Sequence, residues 1–274
     1  MIAVSIFSLL KWGLVRGLDF TGGTIIEYSS EATIDTSDAT AQLNEGGFDA
    51  ASIQGGEGNT YIVRLRTVPD EKKDALSALV SEKIFDGSVE ETRFESVGPS
   101  IGPELVKKTA YAVILASVLI LVWIAYQFKS FVFGASAILA MFHDTFILVG
   151  MFALMGHFLH AEVDFLFVTA LLTTLSFSVH DTIVVFDRIR ELTHKNSNLL
   201  HVDNANKALS ETMVRSLNNS FTIVFMLLAL LLMGGVTIKW FAAALLIGTV
   251  LGTYSSPFIA VPLLLALHSY FGKK

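Results

Sequence analysis

Five long apolar runs constrain this 274-residue chain more than any other feature. They cover roughly residues 108–127, 131–155, 164–187, 216–235 and 239–268. Each is long enough to cross a hydrocarbon core of about 30 Å, which takes about 20 helical residues. A backbone in lipid must satisfy its own hydrogen bonds, so these runs are expected to be helices of one bundle. Composition agrees: 53% of residues are hydrophobic and 16% charged, against about 25% charged in a soluble domain. A soluble enzyme is thereby disfavoured. The absence of cysteine excludes a disulfide framework, thiolate metal sites and cysteine nucleophiles.

A sixth run, Met1 to about Val15, is short and interrupted by Lys11. No A-x-A site follows it, and Lys11 with Trp12 suits an interfacial anchor, so a short or truncated first helix is expected rather than a signal peptide. The organisation expected is a first helix over 1–17, an outer domain over 18–105, and a five-helix domain over 106–274 with an inner connection near 188–215. Six crossings put both termini on one side. That side would hold Lys129, Arg188, Arg190, Lys195, Lys207, Arg215, Lys273 and Lys274, whereas the opposite short connections offer only Lys239. The positive-inside rule makes the charged side cytoplasmic.

The polar insert, residues 18–105, holds 17 Asp/Glu against 6 Lys/Arg, a balance of −11. The rest of the chain is basic. Nucleic acid is not an expected partner, because phosphate binding needs a basic surface. The insert alternates in period: strands at 24–29, 51–54, 60–66 and 89–97, with helices at 37–45 (Ser37 as N-cap) and 70–84. The turn between the second and third strands falls at Gly55-Gly56-Glu57-Gly58. This βαββαβ order matches a ferredoxin-like, split βαβ arrangement. The insert has no histidine, and a docking surface is the better reading than an active site.

Ionisable residues inside the spans need a reason, since each costs about 2.5–3.5 kcal/mol at a helix centre. His143 and Asp144 lie mid-span in the third crossing; His180 and Asp181 lie in the fourth. Thr174, Ser178 and Asp181 share a face by i, i+4, i+7 spacing, and Thr173, Ser176 and His180 form a stripe beside it. Arg215, Asn218, Asn219 and Thr222 recur in the fifth span. Thr249, Thr253 and Ser256 do so in the sixth, next to Gly248-xxx-Gly252, which permits close helix approach. The sharp hypothesis is that Asp181 exchanges a proton and Arg215 is its fixed-charge partner. A static Asp–Arg pair, or an Arg215 that snorkels to the inner surface, is the alternative. His180 and His143 could extend a relay or be ordinary packing residues. Asp187, Arg188, Arg190 and Glu191 read as an ion-paired helix exit. No phosphate loop or H-E-x-x-H spacing occurs, and a metal site at His157, His160 and Glu162 is disfavoured.

Four stretches also carry a resemblance: Gly17-Leu18-Asp19-Phe20-Thr21-Gly22-Gly23-Thr24; Val97-Gly98-Pro99-Ser100-Ile101-Gly102-Pro103-Glu104-Leu105; Val179 to Glu191 around His180-Asp181; and Ile247-Gly248 through Gly252-Thr253-Tyr254-Ser255-Ser256. In this order they resemble SecF, the smaller half of the SecD/SecF protein-export membrane proteins, from about Gly17 to Leu267. The resemblance implies the six-helix half of a resistance-nodulation-division-like bundle with an extracytoplasmic ferredoxin-like α+β domain. It implies an accessory, non-enzymatic subunit of the Sec translocase that uses the proton gradient to promote preprotein export. The partners implied are SecD, the SecYEG channel, the translocating preprotein and membrane lipid, and beyond them YajC and YidC. The location implied is the bacterial or archaeal cytoplasmic membrane. No cofactor is implied; the coupling ion is H⁺, with Na⁺ as the alternative. The family's proton-pathway residues fall on Asp181 and Arg215, and its third-span His-Asp on His143-Asp144. Three departures stand out: His180 occupies a place where Asn is commoner, the Arg-Thr-x-x-Thr-Ser pattern reads Arg215-Ser216-Leu217-Asn218-Asn219-Ser220, and the first helix is short. A small-molecule or lipid exporter of the same superfamily and a passive assembly subunit are the competing readings.

Overall fold

The computed structural model describes every residue except 33, 56–58, 67, 86, 88, 99–100, 129, 197–201 and 272–274. Lys129, Lys273 and Lys274 of the inner-side charge set, Pro99 and Ser100 of the second motif, and most of the Gly-rich turn therefore lie outside the described residues. The chain forms two compact units, one of Met1–Val15 with Ala110–Lys274 and one of Arg16–Thr109.

In the first unit, α1 is Ile2–Lys11. Ten residues reach only about 15 Å, half a hydrocarbon core. The expected helix to Val15 stops early: Gly13 takes φ +67°, and beyond it the Val15 carbonyl accepts the Val163 N–H at 2.8 Å. Trp12 stacks on His157 with ring centres 4.4 Å apart.

The second unit contains α2 (Leu18–Thr21), β1 (Gly23–Ser29), α3 (Thr36–Glu45), β2 (Ala50–Gly55), β3 (Thr60–Leu65), α4 (Lys73–Leu79) and β4 (Glu90–Val97). The sheet order is β2-β3-β1-β4 with every neighbour antiparallel, the ferredoxin-like order. Alternation explains its core: Ile26, Tyr28, Val63 and Leu65 point to one face, where they meet Ala39 and Leu43 of α3 and Leu76 of α4. Two sequence expectations shift. The α3 cap is Asp35, not Ser37: its carboxylate accepts the Ser37 and Asp38 N–H groups at 2.8 and 3.4 Å, leaving Ser37 inside the first turn. The helix expected over 70–84 divides into a 3₁₀ turn at Asp70–Lys72, α4, and a π turn at Val80–Ile84. At the paired glycines, Gly23 has φ +130°, and a Cβ there would lie 2.8 Å from the Leu65 carbonyl oxygen. Only glycine can start β1 against β3 in this way.

The apolar runs form α5 (Ile101–Phe128), α6 (Phe131–Leu159), α7 (Phe165–Asn196), α8 (Val202–Met233) and α9 (Val236–Ser255). A π turn, Ser256–Ala260, then leads into α10 (Val261–Phe271). Among the described residues, five stretches are long and apolar enough to cross a membrane. Along the inner connection expected near 188–215, α7 runs on to Asn196 and α8 begins at Val202. Side-chain ion pairs stabilise these polar extensions: Arg188 binds Glu191 one turn on and Glu211 of α8 at 2.6 Å, and Lys195 binds Glu191 at 2.6 Å. This is the ion-paired exit that the sequence suggests.

α7 packs against α6, α8 and α9. The glycines of α9 set the α7–α9 distance: a Cβ on Gly248 would lie 2.1 Å from Thr174 Cγ2, and one on Gly252 3.1 Å from Ser178 Cα. Gly150 of α6 likewise admits Ser5 of α1, whose Cβ would be 2.1 Å from an added methyl. α5 exposes Tyr111, Leu115, Leu119, Trp123 and Tyr126, and only its end, Ile124 and Phe128, joins the buried core.

Candidate functional site: two buried acids among hydroxyls

The close α7–α9 contact places two carboxylic acids among side-chain hydroxyls. Asp144 of α6 is 6% exposed. It accepts O–H bonds from Ser178 of α7 at 2.6 Å and Ser255 of α9 at 2.5 Å, and meets His143 Nδ1 at 3.0 Å. Three helices therefore converge on one carboxyl. A cavity of about 10 Å³ beside it is lined by Thr145, Thr174, Ser178 and Gly248, among others.

Asp181 of α7 is 5% exposed. Ser216 of α8 places its hydroxyl 2.6 Å from both carboxylate oxygens. Ser256 lies against the same carboxylate and shares a hydrogen bond with Thr182 at 3.0 Å. Here the structure departs from the expected pairing. Arg215 makes no ion pair among the described residues; Ser216 occupies the position beside Asp181. The reason is helical geometry: consecutive residues point about 100° apart, so when Ser216 faces α7 its predecessor turns away.

Arg215 instead lines an open cavity of about 580 Å³ between α7 and α8, with Gln127, Ile183, Val184, Asp187, Arg188, Glu191, Glu211 and Thr212. Ile183 and Val184 are within a turn of Asp181, and Thr212 is one turn before Ser216. The cavity thus opens beneath the second acid, at the charged end of the two helices. Both signs of charge line it, which suits water and small ions better than an apolar ligand.

The remaining sequence candidates divide by exposure. Thr174 is buried and donates to the Leu171 carbonyl at 2.9 Å. Thr253 donates to Ser220 of α8 at 2.6 Å, joining α9 to α8. His180 is exposed, and so are Thr173, Ser176, Asn218, Asn219 and Thr222. The structure therefore does not bring His180 into the buried hydroxyl network. Ser178 does lie on the Asp181 face, as the spacing implies, but its hydroxyl serves Asp144. Sequence reasoning missed the roles of Ser216, Ser255 and Thr182. Their only signal was adjacency to a residue already singled out, and a helical repeat cannot say which hydroxyl meets which acid. Among the described residues no three His, Asp or Glu side chains gather as metal ligands.

Comparison with known proteins connects this geometry to one family. The profile for the SecD/SecF protein-export membrane protein C-terminal domain matches residues 77–270, and that for the SecD/SecF GG motif matches residues 7–34. A protein translocase subunit SecF from Thermobaculum terrenum is 43% identical over 273 residues, covering 94% of this chain and 86% of that protein. One from Vibrio alginolyticus is 40% identical over 271 residues, covering 97% and 84%. The crystal structure of SecDF, a translocon-associated membrane protein from Thermus thermophilus, superposes with a TM-score of 0.84 at 32% identity, covering 98% of this chain and 36% of that one. A structure of SecDF in its super-membrane-facing form superposes with a TM-score of 0.69 over 98% of this chain and 36% of that one. With its helical bundle, its antiparallel four-stranded sheet, its paired glycines at the start of β1 and its match along nearly the whole length, the chain belongs to the SecF family of protein translocase subunits.

Proposed function

We propose that this chain is an accessory subunit of the Sec translocase that converts proton flow into assistance for preprotein export, with Asp181 as the group that takes up and releases the proton. The observation that carries this reading is a carboxyl 5% exposed within a membrane span, bonded by the Ser216 hydroxyl, one turn above a charged cavity. Such an acid is costly in the bilayer unless it has a task or a permanent partner, and among the described residues no Lys or Arg forms an ion pair with it. Arg215, His143 and Asp144 complete the proposed pathway, with Arg215 acting from the cavity. The coupling ion is H⁺ in this reading, and Na⁺ is the alternative.

The partner proposed for the membrane unit is SecD. Thr173, Ser176 and His180 of α7 and Asn218, Asn219 and Thr222 of α8 are exposed at membrane depth on neighbouring helices. Thr173 and Thr222 donate to carbonyls of their own helices, but lipid cannot satisfy the amides of Asn218 and Asn219 or the His180 imidazole, so another polar helical surface should cover this face. The solved SecDF chain is nearly three times as long as the part this chain spans, which leaves ample room for such a second half. We place the assembly in the cytoplasmic membrane beside SecYEG, with unit Arg16–Thr109 outside the cytoplasm; YajC and YidC are further partners.

The test is preprotein translocation into inverted membrane vesicles at a series of imposed proton gradients. Asp181→Asn should remove the stimulation by the gradient at normal membrane levels of the protein, and Arg215→Met should weaken it. Gradient-stimulated export that persists in Asp181→Asn would overturn the reading and favour a passive assembly role.

A further inference from the structure

The two buried acids sit on different helices, yet consecutive residues of the last span serve them. Ser255 donates to Asp144. Ser256 is bonded to Thr182 and lies against Asp181. Both serines are fully buried, and the π turn Ser256–Ala260 begins between them. The backbone widens at that point, as single π turns inside helices commonly do at functional sites.

Both hydroxyls also reach one backbone acceptor. The Gly252 carbonyl accepts the Ser256 N–H, the Ser256 hydroxyl at 3.0 Å and the Ser255 hydroxyl at 3.3 Å. A carbonyl oxygen has two lone pairs, and here three donors approach it. With the N–H fixed by the helix, one place remains for two hydroxyls. Gly252 is pressed against Ser178 of α7, where even a Cβ would come within 3.1 Å of the Ser178 Cα.

Resting on the reading that Asp181 exchanges a proton, we infer that Ser255 and Ser256 are positioning residues that set the two acids out of phase through competition for the Gly252 carbonyl. When Asp144 is ionised, Ser255 donates to it and Ser256 holds the carbonyl, the arrangement seen here. When Asp144 takes a proton it no longer needs that donor. Ser255 turns to Gly252, and the Ser256 hydroxyl is displaced toward Asp181, where it stabilises the carboxylate. A proton on Asp144 thereby favours charge on Asp181, and the reverse holds equally, since coupling between sites is reciprocal. No bond other than O–H is made or broken. The other charged or titratable side chains on these stretches of helix are His143 on α6, His180, Asp187 and Arg188 on α7, Glu211 and Arg215 on α8, and the exposed Tyr254 on α9. The part of α9 and the π turn that meets the two acids contributes hydroxyls and backbone alone.

The experiment uses the full chain in membrane vesicles and dicyclohexylcarbodiimide, which modifies protonated carboxyl groups in apolar surroundings; modification is followed at each aspartate by mass spectrometry. Asp144→Asn imitates the neutral acid, and should slow modification of Asp181 threefold or more. Adding Ser255→Ala or Ser256→Ala should abolish that response, and Ser256→Thr, which keeps the hydroxyl, should retain it. An Asp181 whose modification rate ignores Asp144→Asn, or responds equally in the alanine backgrounds, would overturn the inference. Gradient-stimulated export measured on the same vesicles separates the two readings. Loss of that stimulation in Asp181→Asn together with an absent coupling sinks the serine exchange alone, whereas its persistence sinks the parent reading.

Discussion

Replacing Gly248 by alanine tests whether the α7–α9 distance sets the geometry of the first acid. The added methyl would stand 2.1 Å from Thr174 Cγ2 and 2.6 Å from its Cβ. Carbon atoms prefer separations of about 3.5–4.0 Å, so the helices must part by more than about 1 Å locally, or Thr174 must leave its rotamer. Overpacking of this kind costs about 1–3 kcal/mol. The geometry of Asp144 should suffer with it. Its bonds to Ser178 and Ser255, at 2.6 and 2.5 Å, come from those two helices, and lengthening by about 1 Å takes either to the limit of a hydrogen bond. Gly248→Ala should lower the thermal unfolding midpoint in detergent and reduce gradient-stimulated export. Thr174→Ser removes the nearest methyl and keeps the hydroxyl that binds Leu171, so the double variant should recover part of both losses. A Gly248→Ala protein with native unfolding temperature and export, or a double variant no better than the single, would refute the argument.

Three further outcomes follow from the same structure. Ser216→Ala removes the hydroxyl bonded to both Asp181 oxygens; hydrogen bonds to charged groups contribute about 1.5–3 kcal/mol, so export at a fixed gradient should fall at least tenfold, with Ser216→Thr close to native. Gly23→Ala combines φ +130° with a 2.8 Å approach to the Leu65 carbonyl; it should destabilise unit Arg16–Thr109 by about 1–3 kcal/mol, seen as faster proteolysis of residues 23–97 while the membrane helices stay intact. Glu211→Gln breaks the Arg188 bridge between α7 and α8, whose side chains are 30% and 35% exposed; exposed pairs contribute about 0–1 kcal/mol, so the unfolding temperature should barely change, and a large drop would show that the pair clamps the cavity wall.

Much of this chain is legible without coordinates because each signal is local. A run of twenty apolar residues demands a helix whatever its neighbours, since lipid offers the backbone no partner. Alternation at Thr60–Leu65 demands a strand with one buried face, and a βαββαβ succession leaves few sheet orders. The glycine pair at 22–23 and the acids at 144 and 181 are conspicuous for the same reason, each being costly in its local setting unless something nearby requires it. Helix ends were less legible. The apolar run of α7 fades near Asp187, while the helix continues to Asn196 on ion pairs that include one to Glu211, more than twenty residues away in sequence.

Which acid meets which hydroxyl lay beyond the sequence. Spacing put Ser178 on the face of Asp181, yet its oxygen serves Asp144 across the helix boundary; it nominated Arg215 as the partner of Asp181, yet the next residue holds that place. A helical period determines only the direction of a side chain about its own axis. The rotation of one helix against another depends on packing between residues far apart in the chain, such as Gly248 on Thr174, and a turn of 100° exchanges a residue for its neighbour. The sequence alone therefore determined that this chain buries acids in a membrane bundle and carries a ferredoxin-like domain. The packing of α6, α7, α8 and α9 decided how those acids are held.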